Sequence, residues 1–95
     1  MAEAGREGTG RQVRLVYFAW VRERVGLPEE TVALPSGVAT VADLTAWLKG
    51  RGEEYAHAFE NAATIRAALD RVHARPDAPI GEAREIAFFP PMTGG

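Results

Sequence analysis

The stretch Ile86-Ala87-Phe88-Phe89-Pro90-Pro91-Met92-Thr93-Gly94-Gly95 closes the chain without a charged side chain, stiffens at two prolines and finishes on two glycines. Glycine has no Cβ, so a backbone built from it can approach another surface closely. A carboxylate on the Gly94-Gly95 tip can therefore be delivered into a narrow site. An end that only finishes a fold usually frays in polar residues, and with glycine near 7% of all residues two terminal glycines arise by chance in about 0.5% of chains. A carboxylate resists nucleophiles until it is activated. An ATP-dependent partner that turns it into an acyl-adenylate supplies a leaving group, and sulfur entering at that carbon gives a terminal thiocarboxylate, a strong nucleophile on an extended arm. On this reading Gly95 is the acceptor, Gly94 gives passage, and the chain is a carrier of detachable cargo.

Little else in the sequence does chemistry unaided. Ser36 is the single serine and sits in a turn, and there is no cysteine to supply a thiolate, a disulfide or a zinc thiolate site. His57 and His73 are far apart in sequence and read as surface or satisfied histidines, and no metal site is expected. The pairs Glu29-Glu30 and Glu53-Glu54 are sequence neighbours whose side chains diverge, so they read as solvated faces. The chain is expected to bind no cofactor of its own, ATP being used by the activating partner. A formal net charge of −2 with scattered cations shows no basic stripe for a phosphate backbone, and no uncharged run approaches the roughly 18 residues of a membrane span. Neither nucleic acid nor membrane is expected as a partner, and a cytoplasmic location is the default.

At 95 residues, 46% apolar and 25% charged, the chain holds one small soluble domain. Residues 1–11 are expected to be a flexible leader, since residues 1–10 are short of large apolar side chains and Gly5, Gly8 and Gly10 lack the order of a nucleotide loop. Residues 12–95 form the domain. Residues 13–20 alternate as a strand, with Val13, Leu15, Tyr17 and Ala19 on one face and Arg14, Val16, Phe18 and Trp20 on the other. Residues 21–25 turn to helical spacing and stop at Gly26, and residues 31–34 resume alternation up to Pro35-Ser36-Gly37, close enough to pair with the first strand. Thr40 with Asp43 makes a variant capping box ahead of a helix whose stripe is Val41, Leu44 and Leu48, with Trp47 beside them, ended by Gly50 or Gly52. Tyr55 and Phe59 suggest a further short helix. By local propensity residues 65–74 read as helix, with Ile65, Leu69 and Val72 on one stripe. Residues 85–89 alternate as a strand that Pro90-Pro91 must end, because proline donates no ladder hydrogen bond. The order predicts an α+β sheet covered by one main helix, with Leu15, Leu44, Leu48, Ile86 and Phe88 in the core.

The ending from Ile86 to Gly95 closely resembles that of the sulfur-carrier (small) subunits of molybdopterin synthases, within the ubiquitin-like sulfur-carrier family. Val13-Arg14-Leu15-Val16-Tyr17-Phe18-Ala19, then Val21-Arg22-Glu23 and Val25-Gly26, resembles the family's opening strand and turn, and Asp77-Ala78-Pro79-Ile80 resembles its last connection. The resemblance implies a β-grasp fold, in which Ala67-Ala68-Leu69 and Val72-His73-Ala74 are short strands joined through Asp70-Arg71; this overrides the helix that propensity predicts. It further implies adenylation of Gly95 by a ubiquitin-activating-like enzyme, loading by a sulfur-donor system, and insertion of the tail into the large catalytic subunit. There sulfur passes to a pterin precursor of the molybdenum cofactor, within a heterotetramer. The chain would thus be a non-catalytic subunit.

The diglycine is shared with carriers for thiazole and other pathways, and Phe88-Phe89-Pro90-Pro91 argues for the molybdopterin branch. A ubiquitin-like modifier, joined through Gly95 to target lysines, is a second reading; Lys49 is the only lysine, which suits single attachment better than polymers. A plain interaction module is a third. Alternation also puts Phe89, Val16 and Phe18 on the outer face of the sheet, where large apolar side chains call for a partner. Phe89 and Phe18, with Val16 beside them and His73 at the margin, are the expected docking residues, followed by Pro90, Pro91, Met92 and Thr93 of the tail.

Overall fold

The computed structural model describes residues 11–91, so the expected leader up to Gly10 and the tail residues Met92, Thr93, Gly94 and Gly95 lie outside the described residues. In chain order the elements are β1 (Gln12–Tyr17), α1 (Ala19–Val25), β2 (Glu29–Ala33), α2 (Val41–Lys49), α3 (Glu53–Ala58), a 3-10 turn (Ala62–Thr64), β3 (Arg66–Leu69), β4 (Val72–Ala74) and β5 (Glu85–Phe89). The five strands form one sheet in the order β2-β1-β5-β3-β4. β1 and β5 run parallel at its centre, paired Arg14↔Glu85 to Tyr17↔Phe88, and every other pairing is antiparallel.

The helices cover the inner face, and between them lies a single core. Leu15, Leu44, Leu48, Ile86 and Phe88 are all fully buried, as the sequence pattern predicts. Phe88 is its aromatic centre, stacked beside Tyr17 at 6.2 Å between centroids and edge-on to Phe59 at 5.1 Å. Phe59 is wholly buried at the C-cap of α3, the short helix suggested by Tyr55 and Phe59. The spacing in α2 turns Val41, Leu44 and Leu48 inward, and the start of that helix is fully satisfied. The Thr40 hydroxyl accepts from the Asp43 N–H and the Asp43 carboxylate accepts from the Thr40 N–H, each at 3.1 Å. The two N–H groups between them go to the chain that follows β4: Val41 donates to the Ala78 carbonyl at 3.1 Å and Ala42 to that of Pro76 at 2.8 Å. A helix start that would otherwise leave donors unpaired thereby holds residues 76–78 against the domain.

Three local readings are corrected. The first strand stops at Tyr17: Phe18 stays extended as the cap of α1, while Ala19 adopts φ +53 and turns the chain, so Ala19 and Trp20 belong to the helix. Residues 66–74 are the β3–β4 hairpin, not the helix that propensity predicts, because Ala67 and Ala68 pair with Phe88 and Ala87 of β5. Arg11, placed in the leader, is tied to the body: its carbonyl accepts the Leu34 N–H at 2.9 Å and its guanidinium donates to the carbonyls of Ala83 and Gly81. Asp70 and Arg71 take φ +49 and +74, the positive values of a type I′ turn, in which Asn-Gly is favoured. Asp70 offsets its strain by accepting the N–H groups of Arg84 and Glu85 at 3.0 Å each, whereas Arg71 makes no such bond among the described residues.

Glu30 is a further correction. It faces inward opposite Leu15, and one carboxylate oxygen accepts from Tyr17 (2.8 Å), Tyr55 (2.6 Å) and Arg51 (3.2 Å), so β2 is tied to α3 across the core edge. Burial, then the bond to Glu30, raise both phenols, Tyr55 to about 12 and Tyr17 further. Glu29 turns outward instead and meets Arg14 at 3.1 Å.

Two outcomes follow. An unfolded tyrosine loses its proton near pH 10, while Tyr55 in the fold holds it to about 12. The contribution is therefore complete below pH 10 and is lost as pH rises through 10 to 12. The urea midpoint is expected to fall over that window, and to fall less in Tyr55→Phe; equal slopes for the two proteins would contradict the account. Arg71→Gly is expected to stabilise the protein by about 1 kcal/mol, since glycine takes a left-handed φ without a Cβ penalty. A midpoint that does not rise would show that the turn is unstrained.

Candidate functional site

β5 lies at the centre of the sheet and ends at Phe89, after which Pro90 and Pro91, both half-buried, carry the chain out of the ladder. Pro90 and Pro91 thus leave from the end of the central strand rather than from an edge strand. Strand alternation fixes what surrounds it. One row across the outer face reads Glu29, Val16, Ala87, Ala68, His73, each paired with the next across successive strands. Ala87 and Ala68 are small, which keeps this row flat enough for a second backbone to approach. Val16 is half-buried among them.

The next row lies where the tail leaves. Phe89 pairs with Arg66 and its ring sits 5.4 Å from that of exposed His73, tilted by 43°. Phe89 is half-buried, in contrast to fully buried Phe88 behind it. Phe18 extends the ladder, donating its N–H to the Phe88 carbonyl at 3.0 Å, and remains 49% exposed, so it is not packed away under a loop. Phe89, Phe18, Val16 and His73 therefore share one face, with Pro90 and Pro91 leading away from it. Gly94 and Gly95, with Met92 and Thr93, lie outside the described residues.

The opposite margin of this face is polar. Arg14 bridges Glu29 at 3.1 Å and Glu85 at 2.6 Å, and the bond to Glu85, then the charge of Glu29, raise its pKa and hold it charged. Sequence reasoning missed Arg66 and Arg75, which line an open groove of about 610 Å³ together with His73 and Phe89. Period-2 alternation back from Ala68 was the available signal for the face of Arg66, and the hairpin register with the path of the chain after β4 brings Arg75 to it. Exposed His57 lies 3.9 Å from Glu60, away from this face. Among the described residues no group of histidine or acidic side chains could hold a metal ion, and no helix is long and apolar enough to cross a membrane.

The family model of the ThiS family matches residues 15–95, which takes in both the sheet and the tail. The chain belongs to the ThiS family. Within the reach of that family, it is 34% identical over 83 residues to the molybdopterin synthase sulfur carrier subunit of Escherichia coli (strain K12), a match covering 87% of this chain and 99% of that protein. The corresponding subunit of Haemophilus influenzae is 29% identical over the same shares. Among solved structures, a Pyrococcus furiosus protein described as subunit 1 of a molybdopterin converting factor superposes with a TM-score of 0.67 at 27% identity, covering 85% of this chain and 98% of that one. The small archaeal modifier protein 1 of Haloferax volcanii superposes with a TM-score of 0.66 at 24% identity, covering 87% and 100%, a likeness of fold. The ThiS-family chain described here is a β-grasp, ubiquitin-like domain.

Proposed function

We propose that this ThiS-family protein is the sulfur-carrier subunit of a molybdopterin synthase, a non-catalytic partner whose C-terminal Gly95 is adenylated and then converted to a thiocarboxylate. The observation that carries this reading is that central strand β5 runs into Pro90-Pro91 beside exposed Phe18 and half-buried Phe89, ahead of an uncharged Met92-Thr93-Gly94-Gly95 sequence, in a chain 34% identical to a molybdopterin synthase sulfur carrier subunit. In the first step the Gly95 carboxylate attacks the α-phosphate of ATP held by a ubiquitin-activating-like enzyme, and pyrophosphate leaves. A sulfur-donor system then delivers sulfur to the acyl carbon and AMP leaves. The loaded tail enters the large catalytic subunit and gives its sulfur to a pterin precursor. This chain's own residues supply reach, a side-chain-free tip and a docking face, and hold no cofactor. The working assembly is a heterotetramer of two carriers and two large subunits, in the cytoplasm.

Docking is assigned to Phe89 and Phe18, with Val16 beside them, His73 at the margin, and Pro90 to Thr93 lining the way into the partner. Gly94 is required because a Cβ would obstruct a narrow channel. The fold also accommodates a modifier, in which the activated Gly95 is attacked by a lysine of another protein. The 34% relative favours the sulfur carrier.

Deleting Gly95 is expected to abolish thiocarboxylate formation, read by intact-protein mass spectrometry after incubation with the adenylating enzyme, ATP and sulfur donor, with thermal unfolding unchanged. A Gly95-deleted protein that still sustains cofactor synthesis would overturn the assignment, and a target peptide linked to Gly95 in protein isolated from its native cell would favour the modifier. Phe89→Ala is expected to weaken calorimetric binding to the large subunit by about 2 kcal/mol or more, as an aromatic anchor does, while folding stability changes little. Unchanged affinity would remove Phe89 from the interface.

A further inference from the structure

We infer that the groove beside the tail exit seats an acidic segment of the large synthase subunit, with Arg66, His73 and Arg75 selecting for it; this rests on the function proposed above and deepens it. The groove, about 610 Å³, is lined by Arg66, His73, Arg75 and Phe89 together with apolar Val41 and Ile65. It shares Val41 and Ile65 with an adjoining recess of about 250 Å³ that reaches Phe88 and is lined almost wholly by apolar side chains. Cationic and apolar side chains on one lining match a peptide that sets an apolar side chain beside a carboxylate.

The walls are already in place. The Ala42 N–H donates to the Pro76 carbonyl at 2.8 Å, Val41 to Ala78 at 3.1 Å and Ala78 to Arg75 at 2.9 Å, while the β3–β5 ladder fixes Arg66 beside Phe89. A preformed seat needs little ordering when it is filled.

Among the described residues the charges around it have no partner at pairing distance. Arg14, Arg24 and Arg51 each lie within 4.0 Å of a carboxylate, whereas among the described residues none stands at that distance from Arg66, His73 or Arg75. The acid nearest in the hairpin, Asp70, spends its Oδ1 on the N–H groups of Arg84 and Glu85. In a chain of net charge −2, two arginines and a histidine thus line one groove. That local potential draws negative charge and repels partners with cations at the same place, which gives specificity and faster encounter. The groove shares Phe89 and His73 with the outer face, so one docked partner covers both. A phosphate backbone fits less well, because it has no apolar group for the floor.

The test is calorimetric titration of the full-length protein with the purified large subunit of the same organism, at about 50 mM and about 500 mM NaCl. The double variant Arg66→Glu/Arg75→Glu is expected to bind at least about tenfold more weakly at low salt, with the difference shrinking severalfold at high salt as screening sets in. Arg66→Lys/Arg75→Lys is expected to stay within about threefold of the unmodified protein, since it keeps both charges. Both arginines are exposed, and coincident urea midpoints check that the variants fold. An unchanged affinity at low salt, a salt-independent loss, or equal losses for the Glu and Lys variants would each overturn the inference and leave the carrier assignment standing. An unmodified protein that does not bind the large subunit removes both. Binding of a single-stranded DNA oligonucleotide as tight as that of the large subunit would make the groove a phosphate seat and overturn it as well.

Discussion

The parallel pairing of β1 with β5 is the constraint on which the remainder of the structure depends. Parallel neighbours cannot be joined by a tight turn, and here nearly the whole chain between Tyr17 and Glu85 serves as the connection. Bringing such distant segments together costs chain entropy before any contact rewards it. The return is concentrated on β5: Ile86 and Phe88 are fully buried, and Phe88 meets Tyr17 from β1 and Phe59 from the end of α3. The start of β5 is fixed separately. Asp70 accepts the N–H groups of Arg84 and Glu85, and the Arg14 N–H donates to the Arg84 carbonyl at 2.9 Å. Both neighbours of β5 thus hold its first residues in register, and that register decides which phenylalanine faces inward.

The same constraint creates the open outer face. A sheet with period-2 alternation that buries Phe88 must present Phe89 on the other side. With all three helices on the inner face, nothing among the described residues covers the outer one. A one-residue slip of β5 would exchange Phe88 for Phe89 and remove the core anchor, so core and outer face are coupled through a single register. Phe89 is held between β1 and β3, and the surface around it is as rigid as the sheet.

Legibility in the sequence follows whether a feature is decided locally. The capping box of Thr40 and Asp43, the stripe Val41, Leu44, Leu48 and the stop at Gly26 involve residues a few positions apart, and all are visible in the chain alone. The β3–β4 hairpin is not. Ala67, Ala68 and their neighbouring arginines favour helix, Asp70-Arg71 is not a typical type I′ pair, and the strand is settled by pairing with β5, some twenty residues further on. Family resemblance supplied what propensity could not. Glu29 and Glu30 fall between these cases: adjacency correctly implies that they diverge, but not that the inward one finds two phenols and a guanidinium. The outer-face side of Phe89, Val16 and Phe18 was legible from alternation, whereas the meeting of Arg66 and Arg75 at one groove depends on a hairpin register and on the path of the chain after β4.

A small domain that keeps one sheet face open must still remain soluble, and this one treats its two margins differently. Beside β2 the charges are mutually satisfied, Arg14 lying between Glu29 and Glu85. Such exposed pairs contribute little to folding and offer a visitor little, since a partner charge would have to displace one already present. Beside β4 the cations of Arg66 and Arg75 stand with His73 and the Phe89 ring around one groove, without an acidic neighbour at pairing distance among the described residues. Pairing them with a partner's carboxylate would return Coulomb energy against the cost of desolvating both charges. On the function proposed above, apolar anchors at Phe89 and Phe18 would supply affinity to more than one partner, while the charge beside them would decide which partner fits the groove.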